Sequence, residues 1–90
     1  MLKIRAGIAF KKDYKRLKKR HYDLNALAKV IDLLASEKPL PAEYRDHMLL
    51  GNYAGCHECH IGPDWLLVYE IQKEELLLLL TRTGTHSDIF

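Results

Sequence analysis

The chain has 90 residues, of which 48% are hydrophobic and 29% are charged. This length predicts one domain spanning residues 1–90, and this composition excludes an intrinsically disordered protein. The longest apolar run, residues 76–80, is too short to cross a bilayer and no export signal is recognisable, so we expect a cytoplasmic protein without a membrane partner.

The net charge of +2 is distributed unevenly along the chain. Residues 1–30 contain ten of the fourteen lysines and arginines but only two of the twelve acidic residues. Such a cluster is typical of a surface that binds a polyanion, and RNA, DNA and an acidic protein all fit; a solvated helix face is the alternative interpretation. Seven clustered bases are the candidate binding residues for such a partner: Lys11, Lys12, Lys15, Arg16, Lys18, Lys19 and Arg20.

The first half of the chain predicts a short strand followed by two helices. Residues 1–5 alternate apolar and basic side chains, as expected for an edge strand. A basic amphipathic helix is predicted from about Ala9 to Arg20, and a second helix follows Asp23, a plausible N-cap, and ends before Pro39. Because the turn between them is very short, the two helices should form an antiparallel hairpin.

The second half predicts a loop at residues 42–54 and then three strands, at about Cys56–Ile61, Trp65–Ile71 and Glu75–Arg82. Tight turns join these strands, so they should pair in an antiparallel sheet. The middle strand is apolar at nearly every position, which indicates a central strand covered on both faces. With the helix hairpin on one face of this sheet, the predicted fold is α+β.

Strand pairing predicts that polar side chains from distant segments meet at one end of the sheet. The turn at Gly62-Pro63 should place His60 beside Trp65, and the next hairpin should place Asp64 opposite Arg82. The last nine residues add a histidine and a terminal aromatic at the same end. The candidate residues at this end are His60, Asp64, Arg82 and His86, with Trp65 and Phe90 as aromatic residues that bind substrate. His47, in the predicted loop, is a further candidate because of its chemistry.

These residue types suit the cleavage of RNA by its own 2′-hydroxyl group. The reaction needs a base, an acid for the departing 5′-oxygen, and positive charge at the phosphate. Histidine transfers protons near neutral pH, arginine binds phosphate oxygens, and an aromatic ring stacks on an unstacked base. Each residue also has a structural interpretation: a solvated histidine, a turn aspartate, an ion-paired arginine or a core aromatic.

Several segments resemble the YafQ branch of the RelE/ParE superfamily of bacterial toxins. The most specific are Asp46-His47, residues 63–69 (PDWLLVY) and residues 82–87 (RTGTHS). The resemblance implies a microbial RNase-like fold and a ribosome-dependent endonuclease that cleaves translated mRNA without a cofactor. The implied partners are a cognate antitoxin, the ribosome and mRNA, with operator DNA contacted only through the antitoxin.

The resemblance also implies a role for each site residue. His86 corresponds to the principal proton-transfer residue, Arg82 to a phosphate clamp and Phe90 to a substrate positioner. The matching active-site set is completed by His47, His60 and Asp64.

A competing interpretation comes from Cys56-His57-Glu58-Cys59-His60, which fits the C-x-x-C-H pattern of c-type haem attachment and offers zinc ligands. Haem attachment would require export. In a strand, Cys56 and Cys59 point to opposite faces and cannot share one ion. We therefore predict neither a metal nor haem.

Two other functions remain open at this stage. One is a ParE-like toxin that binds a DNA topoisomerase and cuts no RNA, and the other is a degenerate toxin that acts only with its antitoxin. The histidines and the Arg82–His86 segment favour a nuclease, because topoisomerase binding has no use for them.

Overall fold

A computed structural model describes all 90 residues as two helices packed on a five-stranded sheet. In chain order the elements are β1 (Lys3–Ala6), α1 (Ile8–Lys19), α2 (Leu24–Ala35), β2 (His47–Met48), β3 (His57–Gly62), β4 (Trp65–Gln72), β5 (Leu77–Gly84) and α3 (His86–Ile89). Short 3₁₀ turns lie at Ala42–Tyr44, Gly51–Tyr53 and Lys73–Glu75. None of the helices combines the length and the apolar character that crossing a bilayer requires.

The strand order β1-β5-β4-β3-β2 places β1 and β2 at the edges of the sheet. β1 is parallel to β5, and every other pair is antiparallel. The predicted α+β class with a mainly antiparallel sheet is confirmed. The segment predicted to be a loop contains β2, a two-residue edge strand.

The hairpin follows from local sequence signals. α1 buries Phe10 and Leu17 on one side. Asp23 caps α2, since its side chain accepts the backbone N–H of Asn25 at 3.1 Å. His21 reverses the chain between the helices in a left-handed conformation (φ 61°). Both helices begin and end close to the predicted residues.

β4 is buried on both faces, as its continuous apolar sequence indicates. Trp65 and Tyr69 belong to the core beneath the two long helices. Leu66 and Val68 pack on the opposite face with Ile89 of α3. The C-terminal helix is therefore part of the folded unit, and it is held against the face of the sheet that the hairpin leaves open.

The register between β3 and β4 differs from the predicted one. Gly62 pairs with Trp65 and His60 pairs with Leu66, with an irregularity between the two pairs. The prediction that His60 lies beside Trp65 is therefore wrong by one position. A one-residue change of register reverses the face on which a side chain lies.

The predicted pairing of Asp64 with Arg82 is also wrong. Arg82 pairs with Val68, and the next pair is Leu80 with Tyr69, so Thr81 forms a bulge in β5. A bulge interrupts the alternation of side chains along a strand. Leu80 therefore packs beneath the hairpin, whereas the Arg82 side chain is turned towards α3.

Candidate active site

Three histidines and the terminal phenylalanine form a row at one end of the sheet. The ring centroids are 6.2 Å apart for His47 and His60, 6.2 Å for His60 and His86, and 6.3 Å for His86 and Phe90. β2, β3 and the C-terminal segment each supply part of the row. The predicted convergence of His60, His86 and Phe90 therefore occurs, on an open surface, and β2 adds His47 to it.

Asp64 orients His86. Its Oδ1 lies 2.8 Å from Nδ1 of His86 and also accepts the backbone N–H of His86 at 3.1 Å. These two hydrogen bonds lower the pKa of Asp64. Because Nδ1 faces a carboxylate, it carries the proton in the neutral ring, and Nε2 has a free lone pair. The pair can therefore take up and release a proton at Nε2.

Glu58 is a buried carboxylate between the other two histidines. Its Oε2 lies 3.0 Å from Nε2 of His47 and 3.7 Å from Nε2 of His60. The opposite nitrogen of His47, Nδ1, lies 2.9 Å from the carbonyl oxygen of Arg45. Both His47 contacts are hydrogen bonds only if both ring nitrogens carry protons or if Glu58 is protonated. Glu58 and the Arg45 carbonyl thus fix the orientation of the His47 ring.

His60 is held in the neutral form. Burial lowers its pKa first, and the charge of Arg45 lowers it further. Nη2 of Arg45 lies 3.2 Å from Nδ1 of His60. Arginine has no acceptor, so Nδ1 accepts this bond and the ring proton sits on Nε2. His60 thus presents an N–H donor between His47 and His86.

Most of the N–H groups of the Arg82 guanidinium are hydrogen-bonded within the protein. Nε and Nη2 donate to the carboxylate of Asp13 at 2.6 and 3.1 Å. Nη2 also donates to the carbonyl oxygen of Asp88 at 3.0 Å, and Nη1 donates to the hydroxyl of Tyr53 at 3.4 Å. The bonds to Asp13, which is 1% exposed, raise the pKa of Arg82. Only one N–H of Nη1 is left without a partner.

Comparison with known proteins identifies the family of this chain. A family model described as a bacterial toxin of type II toxin–antitoxin systems, YafQ, matches residues 2–90. The chain belongs to the YafQ family. It is 43% identical over 82 residues to the mRNA interferase toxin YafQ of Escherichia coli K12, which covers 90% of this chain and 87% of that protein.

Solved structures of similar proteins have the same fold. A metal-bound toxin from Helicobacter pylori is 48% identical, with a TM-score of 0.94 over the whole of both chains. The matching chain of the E. coli DinJ–YafQ complex is 40% identical, with a TM-score of 0.90 over 100% of this chain and 99% of that chain. The predicted family and fold are thus confirmed.

The C-terminal segment that resembles the YafQ family has structural roles. Gly84 has φ 151°, and a Cβ atom there would lie 2.8 Å from Oδ2 of Asp88, so glycine is required. Thr85 caps α3 through a capping box with Asp88. This turn fixes the backbone of His86 and directs its ring towards His60.

Trp65 lies in the core and not on the substrate surface of this toxin. It is 8% exposed, its indole N–H donates to Oγ1 of Thr83 at 3.0 Å, and its ring packs edge-on against Tyr22 at 5.0 Å. We correct the prediction that Trp65 binds substrate, because its ring is already covered. It stabilises the sheet behind the site.

The seven clustered bases are all exposed, but two of them are not free. Arg20 donates to Asp88 at 2.9 Å, and Arg16 lies 3.7 Å from the same carboxylate. The bond from Arg20 is the main cause that lowers the pKa of Asp88 to about 2. These two arginines anchor α3 to α1, while the five lysines form no ion pair. The lysines alone remain a candidate polyanion surface.

A possible metal-binding cluster differs from the one that the sequence offered. Cys56 and Cys59 are buried in separate cores, so they cannot share an ion, and burial raises the pKa of the Cys59 thiol to about 12. One ligand atom each from His47, Glu58 and His60 lies within 4.8 Å of the others. Sequence reasoning missed this set because β2, which brings His47 to Glu58, has only two residues.

Proposed function

We propose that this toxin is an endoribonuclease that cleaves translated mRNA on the ribosome. The observation that carries the proposal is the 2.8 Å contact between Asp64 and Nδ1 of His86, with two more histidines beside it. Its relative in E. coli is named an mRNA interferase. A proton-transfer pair on an exposed surface suits a large substrate better than a small molecule, which would need a closed pocket.

In the proposed reaction, Nε2 of His86 takes the proton of the 2′-hydroxyl, and the resulting oxygen attacks the adjacent phosphorus. The bond from phosphorus to the 5′-oxygen breaks, and a protonated His47, whose Nε2 lies 3.0 Å from Glu58, gives a proton to that oxygen. The products are a 2′,3′-cyclic phosphate and a 5′-hydroxyl. His60 donates its Nε2–H to a phosphate oxygen, and Phe90 stacks on a base.

Binding partners follow from the same proposal. The lysines of α1 are suited to ribosomal RNA phosphates, which would place the toxin in the cytoplasm with the ribosomes. A cognate antitoxin would hold the toxin inactive, as the DinJ–YafQ complex is a toxin–antitoxin assembly. Operator DNA would then be contacted through the antitoxin.

The test is brief induction of the chain alone in bacteria, followed by primer extension on several transcripts. We expect new 5′ ends in translated regions and growth arrest. His86→Ala should lower the cleavage rate by about 10²–10⁴-fold, the usual contribution of a proton-transfer residue. The matched control is His21→Asn, because His21 is exposed outside the site and asparagine tolerates its left-handed backbone.

Three results would contradict the proposal. Intact transcripts with broken chromosomal DNA would indicate a topoisomerase poison. The absence of both growth arrest and cleavage would indicate a degenerate toxin. Full cleavage by a folded His86→Ala protein would remove the main assignment.

We also propose that the cluster of His47, Glu58 and His60 binds a transition metal ion. Two imidazoles and a carboxylate with ligand atoms within 4.8 Å fit zinc or copper, and a related H. pylori toxin is metal-bound. A bound ion would occupy the ring nitrogens that the reaction uses, so it would inhibit cleavage. Calorimetric titration with zinc should show one binding event that Glu58→Gln abolishes and His21→Asn retains. Equal binding by both variants would refute the site.

A further inference from the structure

We propose that Arg45 binds a phosphate group of the mRNA, in a small pocket beside His60. The inference rests on the proposed RNA cleavage and adds to it a substrate-binding residue that lies outside the C-terminal segment. Most N–H groups of Arg82 are already hydrogen-bonded, so the site needs a second cation, and Arg45 supplies it.

The first step is that Arg82 has little left to offer a phosphate. Its four hydrogen bonds go to Asp13, the Asp88 carbonyl and the Tyr53 hydroxyl. A guanidinium has five N–H donors, so one remains, whereas a bidentate grip on phosphate needs two. Asp13 also compensates the positive charge at 2.6 Å. Arg82 alone is therefore a weak phosphate clamp.

The second step is that Arg45 is exposed and keeps most of its donors. Its single side-chain hydrogen bond is the one from Nη2 to Nδ1 of His60, at 3.2 Å. No carboxylate forms an ion pair with it, although Glu43 lines the same pocket. Four N–H donors therefore remain for a ligand at a position in contact with a site histidine.

The third step is that the backbone of Arg45 is held in place. Its φ and ψ are 47° and 49°, in the left-handed region that arginine rarely adopts. Its N–H donates to the carbonyl oxygen of Ala42 at 3.0 Å, and its own carbonyl oxygen accepts from His47. Such conformations persist where surrounding contacts enforce them, often at functional sites. The turn directs the guanidinium to His60.

The fourth step is the shape of the adjoining pocket. It has a volume of about 190 Å³ and is lined by the turn at Arg45 and by the end of β3 from His60 to Pro63. Small-molecule sites usually measure about 300–1,000 Å³. This pocket suits one phosphate with part of its sugar. It would hold the RNA backbone beside the row of histidines while the bases remain outside.

The experiment uses ribosomes programmed with an mRNA that carries a 2′-O-methyl group at the cleavage position. This mRNA lacks the attacking hydroxyl, so binding is measured without cleavage. Arg45→Gln should weaken binding of the toxin about tenfold, the loss expected for one charged hydrogen-bonding group. It should also reduce the salt dependence, the slope of log K against log salt, by about 0.7 for one single-stranded phosphate.

Two variants serve as controls. Arg45→Lys keeps the positive charge and should keep the wild-type salt slope. Arg5→Gln removes one exposed positive charge from the opposite edge strand, β1, and should change neither affinity nor slope. Thermal melting checks that every variant is folded.

The outcomes separate this inference from the proposed function. If the wild type fails to cut ordinary mRNA, the proposed function is wrong, whatever Arg45 does. If the wild type cuts but Arg45→Gln binds with unchanged affinity and slope, Arg45 does not contact phosphate. If affinity falls while the slope stays constant, Arg45 only positions His60 and His47, and the inference is overturned.

Discussion

Among the charged residues of α1 and α2, Asp13 is the one whose replacement with alanine should destabilise the toxin most. Asp13 lies on α1, yet it is 1% exposed. It accepts two bonds from Arg82 and one from the backbone N–H of Thr83 at 3.1 Å. β1 ends at Ala6, which pairs with Leu80, so Thr83 has no strand neighbour on that side. The carboxylate takes the place of the missing strand.

The size of the stability loss follows from the groups that Asp13→Ala leaves without hydrogen-bond partners. Breaking a buried ion pair costs about 3–5 kcal/mol. The lower end applies here, because the Arg82 side chain is 20% exposed and keeps Asp88 and Tyr53 as acceptors. The unpaired N–H of Thr83 adds about 1 kcal/mol. A loss of about 4 kcal/mol should lower the melting temperature by roughly 16–32 °C in a domain of this size.

The assay is urea and thermal unfolding followed by circular dichroism. Asp32→Ala is the matched control, because it removes one exposed acid from α2 and should cost less than about 0.5 kcal/mol. Asp13→Leu combined with Arg82→Met should recover much of the stability, since an apolar pair replaces the ion pair. If Asp13→Ala is no less stable than the control, the carboxylate does not hold β5 to α1.

Three further predictions concern α3 and the basic surface. The pKa of Asp88 is about 2, below its ordinary 3.8, so the stabilisation by its carboxylate is complete above about pH 4 and disappears towards pH 2. Asp88→Asn should therefore lower the free energy of unfolding at pH 6 and flatten the fall of this free energy in acid. An unchanged acid slope would refute this. Gly84→Ala should cost about 2 kcal/mol and impair cleavage, because of its positive φ and the contact with Asp88; a melting temperature equal to wild type would contradict it. Replacing four unpaired lysines of α1 with glutamine should weaken ribosome binding and lower the slope of log K against log salt by about three. The same change at four scattered lysines should have neither effect. Equal effects of the two changes would mean that α1 is only a solvated face. The four lysines are Lys11, Lys12, Lys15 and Lys18, and the control set is Lys3, Lys29, Lys38 and Lys73.

Much of the site could be predicted because its residues sit at the ends of regular elements. Two tight hairpins bring the ends of β3, β4 and β5 together whatever the register, so His60 and His86 were expected to meet. Side-chain partners could not be predicted in the same way. The turn between β4 and β5 is wider than predicted, since Gln72 pairs with Leu77, and the bulge at Thr81 shifts the register by one more residue. Arg82 therefore lies opposite Val68 and not Asp64, and its guanidinium binds Asp13.

The sequence did not predict β2 or α3. It did by itself determine the two long helices, β1, the three long strands, the fold class and the meeting of His60 with His86. Local signals suffice for these, since a helical stripe, a cap or a tight turn acts within a few residues of the chain. The sequence did not predict that Asp13 is buried, although Asp13 lies with Phe10 and Leu17 on the buried side of α1. Only the tertiary structure decided its partner and the place of Glu58 between two histidines. Those contacts depend on strand register and on how α1 lies across β5, and short-range patterns carry no information about either.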